Sequence, residues 1–125
     1  MTAGRTILLV EDDRFLRRAC EASLRQRGFS VTVAVDGEEA LDKVHQAPPD
    51  LILLDLLMPR MTGLEVLRAL RAQGPTRGIP VLILSNSSRE QDAEEIRTLG
   101  VCDYLVKANL SLQELGDRVT RLLGD

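Results

Sequence analysis

One stretch of the chain, residues 51–58, limits the possible folds more than any other. Seven of its eight residues are apolar, and the exception is Asp55. A run of this kind, entered through two prolines and closed by Pro59, predicts a short strand buried on both faces, as in a parallel sheet. Asp55 should then stand at the carboxyl end of a central strand, the edge at which open parallel sheets bind their ligands.

The rest of the chain repeats the same alternation of a short apolar run and an amphipathic segment. We predict strands at residues 6–10, 30–34, 51–55, 81–85 and 101–106, each followed by a helix. Capping residues mark several helix starts, at Asp36, Thr62, Ser87 and Ser111. Five alternating pairs predict an α/β fold, a doubly wound five-stranded parallel sheet of the flavodoxin-like order 2-1-3-4-5, with five helices on its two faces.

For two of the predicted helices, the sequence indicates which side chains pack on the sheet. On the first, we expect one face to pack inward and the arginines to form a solvated face. The inward set is Phe15, Leu16, Ala19, Cys20, Ser23 and Leu24, and the solvated set is Arg14, Arg17, Arg18, Arg25 and Arg27. The fourth helix has only Ala93, Ile96 and Leu99 as an apolar edge, so it should be weakly anchored.

Size and composition exclude several classes of protein. A chain of 125 residues forms one domain, and we expect a single domain over residues 1–125 with its core at about 6–123. A net charge of −3 without a basic stripe argues against direct nucleic-acid binding, and no apolar run is long enough to span a membrane. Cys20 and Cys102 lack metal-ligand or redox spacing, so we expect reduced, largely buried thiols in a cytoplasmic protein.

Polar residues end four of the five predicted strands. Strand one ends in Glu11 and Asp12, strand three in Asp55, strand four in Ser85 and strand five in Lys107. Carboxylates so close repel one another by roughly 4 kcal/mol per pair at 4 Å and an effective dielectric of 20, so a cation is expected among them. Oxygen ligands favour Mg²⁺ first, then Mn²⁺ or Ca²⁺. A carboxylate can also attack phosphorus, and the cation, Lys107 and Ser85 would then stabilise the phosphoryl oxygens.

With these residues the chain resembles the receiver domain of two-component response regulators, in the chemotaxis-type single-domain form. The resemblance covers about residues 6–123 and rests on four segments, residues 7–13, 49–59 with Gly63, 80–85 and 104–107. It implies a role for each site residue. Asp55 would be the phospho-acceptor, Asp12 a direct Mg²⁺ ligand, Glu11 a ligand through water, Leu57 a ligand through its backbone carbonyl, Ser85 and Lys107 the phosphoryl partners, and Tyr104 the aromatic switch together with Ser85.

The resemblance also implies partners. The phosphoryl donor would be a phosphohistidine on a sensor histidine kinase or a histidine phosphotransfer protein. The signal would leave through the surface of helix 4, strand 5 and helix 5, towards an output partner or a second copy of the chain. The protein would catalyse only its own phosphorylation and dephosphorylation. It is expected to be either a complete single-domain regulator or a receiver from a longer protein.

The sequence departs from the family pattern in two places. Ala108 follows Lys107 where the family usually has a proline, often after a cis bond; a cis bond before alanine would cost about 3 kcal/mol, so the bond is trans or the loop is rearranged. Leu57 and Ser87 occupy the positions that help to orient the hydrolytic water in the family. Leucine offers water no hydrogen bond, so dephosphorylation should be slow.

Other functions remain open at the level of the sequence. A nucleotide-binding domain on the same sheet would need a glycine- or hydroxyl-rich first turn, whereas residues 11–13 are all acidic. A phosphatase-like enzyme with an aspartyl-phosphate intermediate usually carries an aspartate at the position of Leu57. A degenerate receiver that binds partners without phosphorylation would lack an acidic residue or Lys107, and this chain has both.

Overall fold

The structure is a computed structural model that describes residues 4–58, 60–86 and 93–124. Its strands are β1 (Thr6–Val10), β2 (Ser30–Ala34), β3 (Leu51–Asp55), β4 (Val81–Ser85) and β5 (Asp103–Val106). Its helices are α1 (Arg14–Gln26), α2 (Gly37–Gln46), α3 (Gly63–Ala72), α4 (Ala93–Leu99) and α5 (Leu112–Leu123). Short 3₁₀ turns lie at Gly74–Thr76 and Lys107–Asn109. Among the described residues, no helix has both the length and the apolar character that a membrane crossing requires.

The sheet confirms the predicted topology. All four strand pairs are parallel, and the order is β2-β1-β3-β4-β5. The register aligns the strand ends, because Val10 lies beside Leu54, Asp55 beside Leu84, and Ser85 beside Val106. The polar residues that end β1, β3, β4 and β5 therefore meet at one edge of the sheet.

Both faces of the sheet are covered, which explains why the three inner strands, β1, β3 and β4, are almost entirely apolar. One face packs on α1 and α5 through Ile7, Leu9, Leu53, Leu84, Cys20, Leu24, Leu115 and Val119. The other packs on α2, α3 and α4 through Leu8, Val10, Leu54, Ile83, Val44, Leu67, Leu70 and Ile96. β3 is buried at all five of its residues, so the burial of Asp55 follows from the position of its strand at the centre of the sheet.

The predicted caps hold the helix starts where those residues are described. Asp36 accepts from the Glu39 N–H at 2.8 Å. Thr62 and Glu65 form a reciprocal capping box, with Glu65 N 3.2 Å from Thr62 Oγ1 and Thr62 N 3.0 Å from Glu65 Oε1. The predicted cap at Ser87 lies outside the described residues. Gly63, directly after the Thr62 cap, is required by packing, because a Cβ there would stand 2.2 Å from the Asp55 carbonyl oxygen.

Three expectations about the core and the strand bounds are wrong. Phe15 does not pack inward; its side chain is 87% exposed, because it lies in the first turn of α1, above the sheet edge and off the line through Cys20 and Leu24. Cys102 is exposed, since it precedes β5 at the open edge of the sheet, whereas Cys20 is buried as expected. β5 begins at Asp103 and not at Val101. Gly100, with φ of +90°, turns the chain after α4, and the Cys102 N–H still bonds the Val81 carbonyl at 2.9 Å.

Candidate functional site

Asp55 lies at the centre of the cleft that the strand ends form. Its side chain is only 2% exposed. Oδ1 lies 3.1 Å from Lys107 Nζ and accepts a hydrogen bond from the Leu57 N–H at 3.2 Å. Within the described residues, Oδ2 has no such donor. The carboxylate is therefore held in one orientation while one of its oxygens stays available.

Two carboxylates of the β1–α1 loop face Asp55. Glu11 is fully buried, and Asp12 is exposed. One carboxylate oxygen from each of Glu11, Asp12 and Asp55 lies within 4.8 Å of the others. The sequence predicted this cluster, because the carboxyl ends of β1 and β3 are neighbours in the strand order.

Lys107 joins two of these carboxylates. Its Nζ lies 2.7 Å from Glu11 Oε1 and 3.1 Å from Asp55 Oδ1. Burial acts to lower the pKa of Lys107, but the contacts with Glu11 and Asp55 outweigh it, and the pKa is raised. Lys107 is thus a fixed positive charge at the floor of the cleft. From the described residues, Glu11 Oε1 receives no well-aligned hydrogen bond besides this ion pair, so it keeps acceptor capacity.

The electrostatic balance at Asp55 makes its ionisation less favourable than in water. Burial, and then the charge of Glu11, raise the pKa of Asp55 to about 7, against the opposing effect of Lys107. Burial of Cys20 beneath the same loop, together with Glu11, raises the pKa of that thiol to about 11. Both shifts have one physical cause: negative charge in a desolvated pocket is unfavourable without further positive charge.

The remaining predicted residues lie around this centre. Ser85 is buried at the end of β4, and Tyr104 on β5 is half-buried against the core beneath α4. Leu57 follows Asp55 with its side chain 52% exposed at the cleft mouth. The Lys107–Ala108 bond is trans, and the Leu110 N–H bonds the Lys107 carbonyl at 3.2 Å across the 3₁₀ turn. Of the two positions expected to orient water, Ser87 lies outside the described residues.

Sequence reasoning missed two contributors to the site. Phe15, expected in the core, lines the cleft mouth with Leu57 and Ala108. Arg17, expected on the solvated face of α1, donates from Nη1 to the carbonyl oxygens of Glu11 and Asp12 at 3.0 and 3.3 Å. The only sequence signal for Arg17 is its spacing, since it follows Asp13, the first helix cap, by four residues.

Comparison with known proteins agrees with this geometry. Residues 7–120 match the family model described as the response regulator receiver domain. Among curated proteins, the response regulator MprA of Mycolicibacterium vanbaalenii is 43% identical over 119 residues, which make up 94% of this chain and 49% of MprA. The chain thus spans about half the length of the curated relatives it matches.

Solved structures give the same result. Chemotaxis protein CheY4 of Vibrio cholerae superposes with a TM-score of 0.87 at 32% identity, over 95% of this chain and 98% of CheY4. The receiver domain of the sensor histidine kinase PA1611 from Pseudomonas aeruginosa, which has a magnesium ion coordinated in its active-site cleft, gives a TM-score of 0.86 at 34% identity, over 98% of this chain and 100% of that one. From its strand order, its acidic cleft and its match along residues 7–120, this chain belongs to the response regulator receiver domains of two-component systems.

Proposed function

We propose that Asp55 accepts a phosphoryl group from a phosphohistidine, carried by a sensor histidine kinase or a histidine phosphotransfer protein. One observation carries the proposal: Asp55 is buried among charged groups, with Oδ1 held by Lys107 and the Leu57 N–H and with Oδ2 free of donors from the described residues. We expect Oδ2 to form the new bond to phosphorus. The bond between phosphorus and the histidine nitrogen breaks, and its electron pair stays on the imidazole.

Lys107 and Ser85 are proposed to stabilise the phosphoryl oxygens. The ammonium group of Lys107 already contacts Asp55 Oδ1 at 3.1 Å, so a phosphoryl group bonded to this carboxylate would stand beside a positive charge that needs little reorganisation. Ser85, at the adjacent strand end, would donate its hydroxyl from the side of β4. Charge developing in the transition state is then met by groups already positioned for it.

The acidic cluster suits a hard divalent cation. The cluster offers three carboxylate oxygens within 4.8 Å of one another and contains neither a histidine nor a cysteine. Glu11 Oε1 also keeps acceptor capacity. Oxygen ligands of this kind are the ones that Mg²⁺ and Mn²⁺ prefer. Glu11, Asp12, Asp55 and the carbonyl of Leu57 would hold the ion. When bound, it would supply positive charge both to the cluster and to the phosphoryl oxygens. The magnesium in the corresponding cleft of PA1611 supports this assignment.

The output surface is proposed to be the face of α4, β5 and α5. Ser85 ends β4, and the neighbouring β5 carries Tyr104, which packs on the same core cluster as Ile96 of α4. A shift of Ser85 towards a new phosphoryl group would therefore change the packing around the Tyr104 ring. An output partner or a second copy of the chain that prefers the new arrangement would increase its population. Arg118, which contacts Asp103 on β5 at 2.7 Å, belongs to this face.

The proposal is tested by intact-mass measurement after incubation with Mg²⁺ and acetyl phosphate or phosphoramidate. We expect one labile phosphoryl group on the wild-type chain and none on Asp55→Asn. Asp42→Asn is the matched control, because Asp42 is an exposed aspartate on α2, away from the cleft. A phosphoryl group that persists in Asp55→Asn, or an unmodified wild-type chain, would show that the phospho-acceptor has been assigned wrongly.

A further inference from the structure

We propose that Arg17 is a positioning residue for the metal site, because it fixes the loop backbone that carries Glu11 and Asp12. Its Nη1 donates to the Glu11 carbonyl at 3.0 Å and to the Asp12 carbonyl at 3.3 Å. This inference rests on the proposed function, since the ion concerned is the one that supports phosphoryl transfer at Asp55.

The backbone of Arg17 is fixed by the hydrogen bonds of α1. It lies in the second turn of α1, and its own N–H bonds the Asp13 carbonyl at 2.9 Å. The helix start is fixed in turn, because the Asp13 side chain accepts from the Leu16 N–H at 3.1 Å. The half-buried Arg17 side chain therefore folds back along the helix and holds the two carbonyls that immediately precede the cap.

The two acidic residues depend on this contact to different degrees. The Glu11 carboxylate is held by Lys107 and by the Asp13 N–H, which bonds Oε2 at 3.0 Å. The Asp12 carboxylate is exposed, and no donor from the described part of the chain bonds it. Its position is consequently set by its backbone alone. Freeing that backbone would raise the conformational entropy that must be lost when the carboxylate binds a cation.

The direction in which Mg²⁺ affinity changes on removal of Arg17 distinguishes a positioning role from an effect of its charge. A guanidinium near an acidic cluster opposes cation binding, so deleting its charge should by itself strengthen Mg²⁺ binding. Deleting a contact that orders the Asp12 backbone should weaken it. Weaker binding in a variant that has lost the positive charge therefore cannot be an effect of charge, and it points to lost positioning.

The test is calorimetric titration of Mg²⁺ into wild-type protein, Arg17→Met, Arg17→Lys and Arg18→Met. We expect Arg17→Met to weaken binding about 3- to 10-fold. Arg17→Lys should recover part of the loss, since an ammonium group can also donate to these carbonyls. Arg18→Met is the matched control: Arg18 is exposed, and within the described residues it makes no hydrogen bond or ion pair. Its affinity should be unchanged or slightly tighter.

A second readout separates positioning from general damage. In phosphorylation by acetyl phosphate, Arg17→Met should need more Mg²⁺ for half-maximal rate but reach a rate within about twofold of wild type at saturating Mg²⁺. Equal or tighter Mg²⁺ binding by Arg17→Met would overturn the role of Arg17 and leave the proposed function intact. A wild-type chain that binds no Mg²⁺ would overturn the metal site itself, and the role of Arg17 with it.

Discussion

At the scale of single residues, Asp55 combines two opposing requirements. In its proposed role as nucleophile the carboxylate must be ionised, yet the centre of a covered sheet disfavours charge, and burial raises the pKa of Asp55 to about 7. Lys107 offsets part of this cost, but it is shared with Glu11. The metal-free site therefore contains more negative charge than Lys107 can balance, which is the electrostatic reason to expect a cation in it.

This balance predicts a pH-dependent stability. Because the pKa of Asp55 is about 7 in the folded state and 3.8 ordinarily, the folded state holds a proton between about pH 4 and 7 that the unfolded state has released. The contribution of Asp55 to stability is thus fully present below about pH 4 and is lost as the pH rises to 7. In metal-free protein, Asp55→Asn should stabilise the fold by on the order of 1–3 kcal/mol at pH 8 and clearly less at pH 5.

Urea unfolding of both proteins at the two pH values is the measurement. Asp42→Asn, the exposed control on α2, should show no such difference between pH 5 and pH 8. An equal gain in stability for Asp55→Asn at both values would mean that the ionisation of Asp55 is not what burial opposes.

Leu57 leads to a kinetic prediction. Its side chain is half exposed at the mouth of the cleft, two residues after Asp55, and cannot hydrogen-bond a water that approaches the phosphoryl group. Leu57→Asn should shorten the lifetime of the phosphorylated chain several-fold, since an amide can orient the attacking water. The decay of the added mass after removal of the donor measures this lifetime. Leu57→Met is the apolar control, and a lifetime in Leu57→Asn no shorter than in this control would contradict the prediction.

At the scale of elements, α4 is the helix with the fewest apolar anchors. Ile96 is its single buried residue among those described, worth roughly 1.5–3 kcal/mol on full burial. Polar contacts from α3 supplement it. Arg68 pairs with Glu95, and Arg71 donates to the carbonyls of Leu99 and Gly100, both at 2.9 Å. At about 1 kcal/mol per hydrogen bond, Arg71 contributes as much to holding the end of α4 as Ile96 does.

Removing the Arg71 side chain should destabilise the C-terminal end of α4. Arg71 also donates to the Arg77 and Ile79 carbonyls, so Arg71→Met deletes four hydrogen bonds from one side chain. We expect amide exchange in residues 96–101 to accelerate about tenfold, with little change in β1 and β3. Arg97→Met, which removes an exposed arginine of α4, is the control for lost charge. Exchange that accelerates evenly across the sheet would indicate global destabilisation instead of a local loss.

At the scale of the whole molecule, the sheet separates the acidic cleft from the proposed output face. The acidic cleft lies at the carboxyl edge between β1 and β3, whereas the proposed output face lies at the β5 side. β4 connects them, since it pairs with β3 on one side and with β5 on the other. A change at Asp55 can therefore reach Tyr104 through a single strand.

This arrangement predicts where beryllofluoride with Mg²⁺, as a mimic of the phosphoryl group, should change amide exchange. Changes should concentrate in Ser85, α4 and β5, with β2 unaffected, because β2 lies on the far side of β1. Asp55→Asn, which cannot form the adduct, is the control. Changes confined to the loops at Asp12 and Asp55 would mean that the signal does not leave through α4, β5 and α5.

The sequence by itself determined the fold and the cluster at the sheet edge. The apolar runs, the caps and the alternation predict a parallel doubly wound sheet, and parallel strands necessarily bring Glu11, Asp12, Asp55, Ser85 and Lys107 to the same edge. These conclusions depend on local patterns and on the rules of sheet topology, which do not require knowledge of individual side-chain contacts.

Only the tertiary structure decided which side chains pair and which ones turn outward. Helical periodicity placed Phe15 in the core and Arg17 in solvent, yet Phe15 lines the cleft and Arg17 holds the acidic loop. Both lie in the first turns of α1, directly after the acidic loop, where a side chain can reach the cleft or the loop backbone. The ion pairs of Lys107 and the contacts of Arg71 join residues far apart in the chain, so their geometry is set by packing and leaves no local pattern.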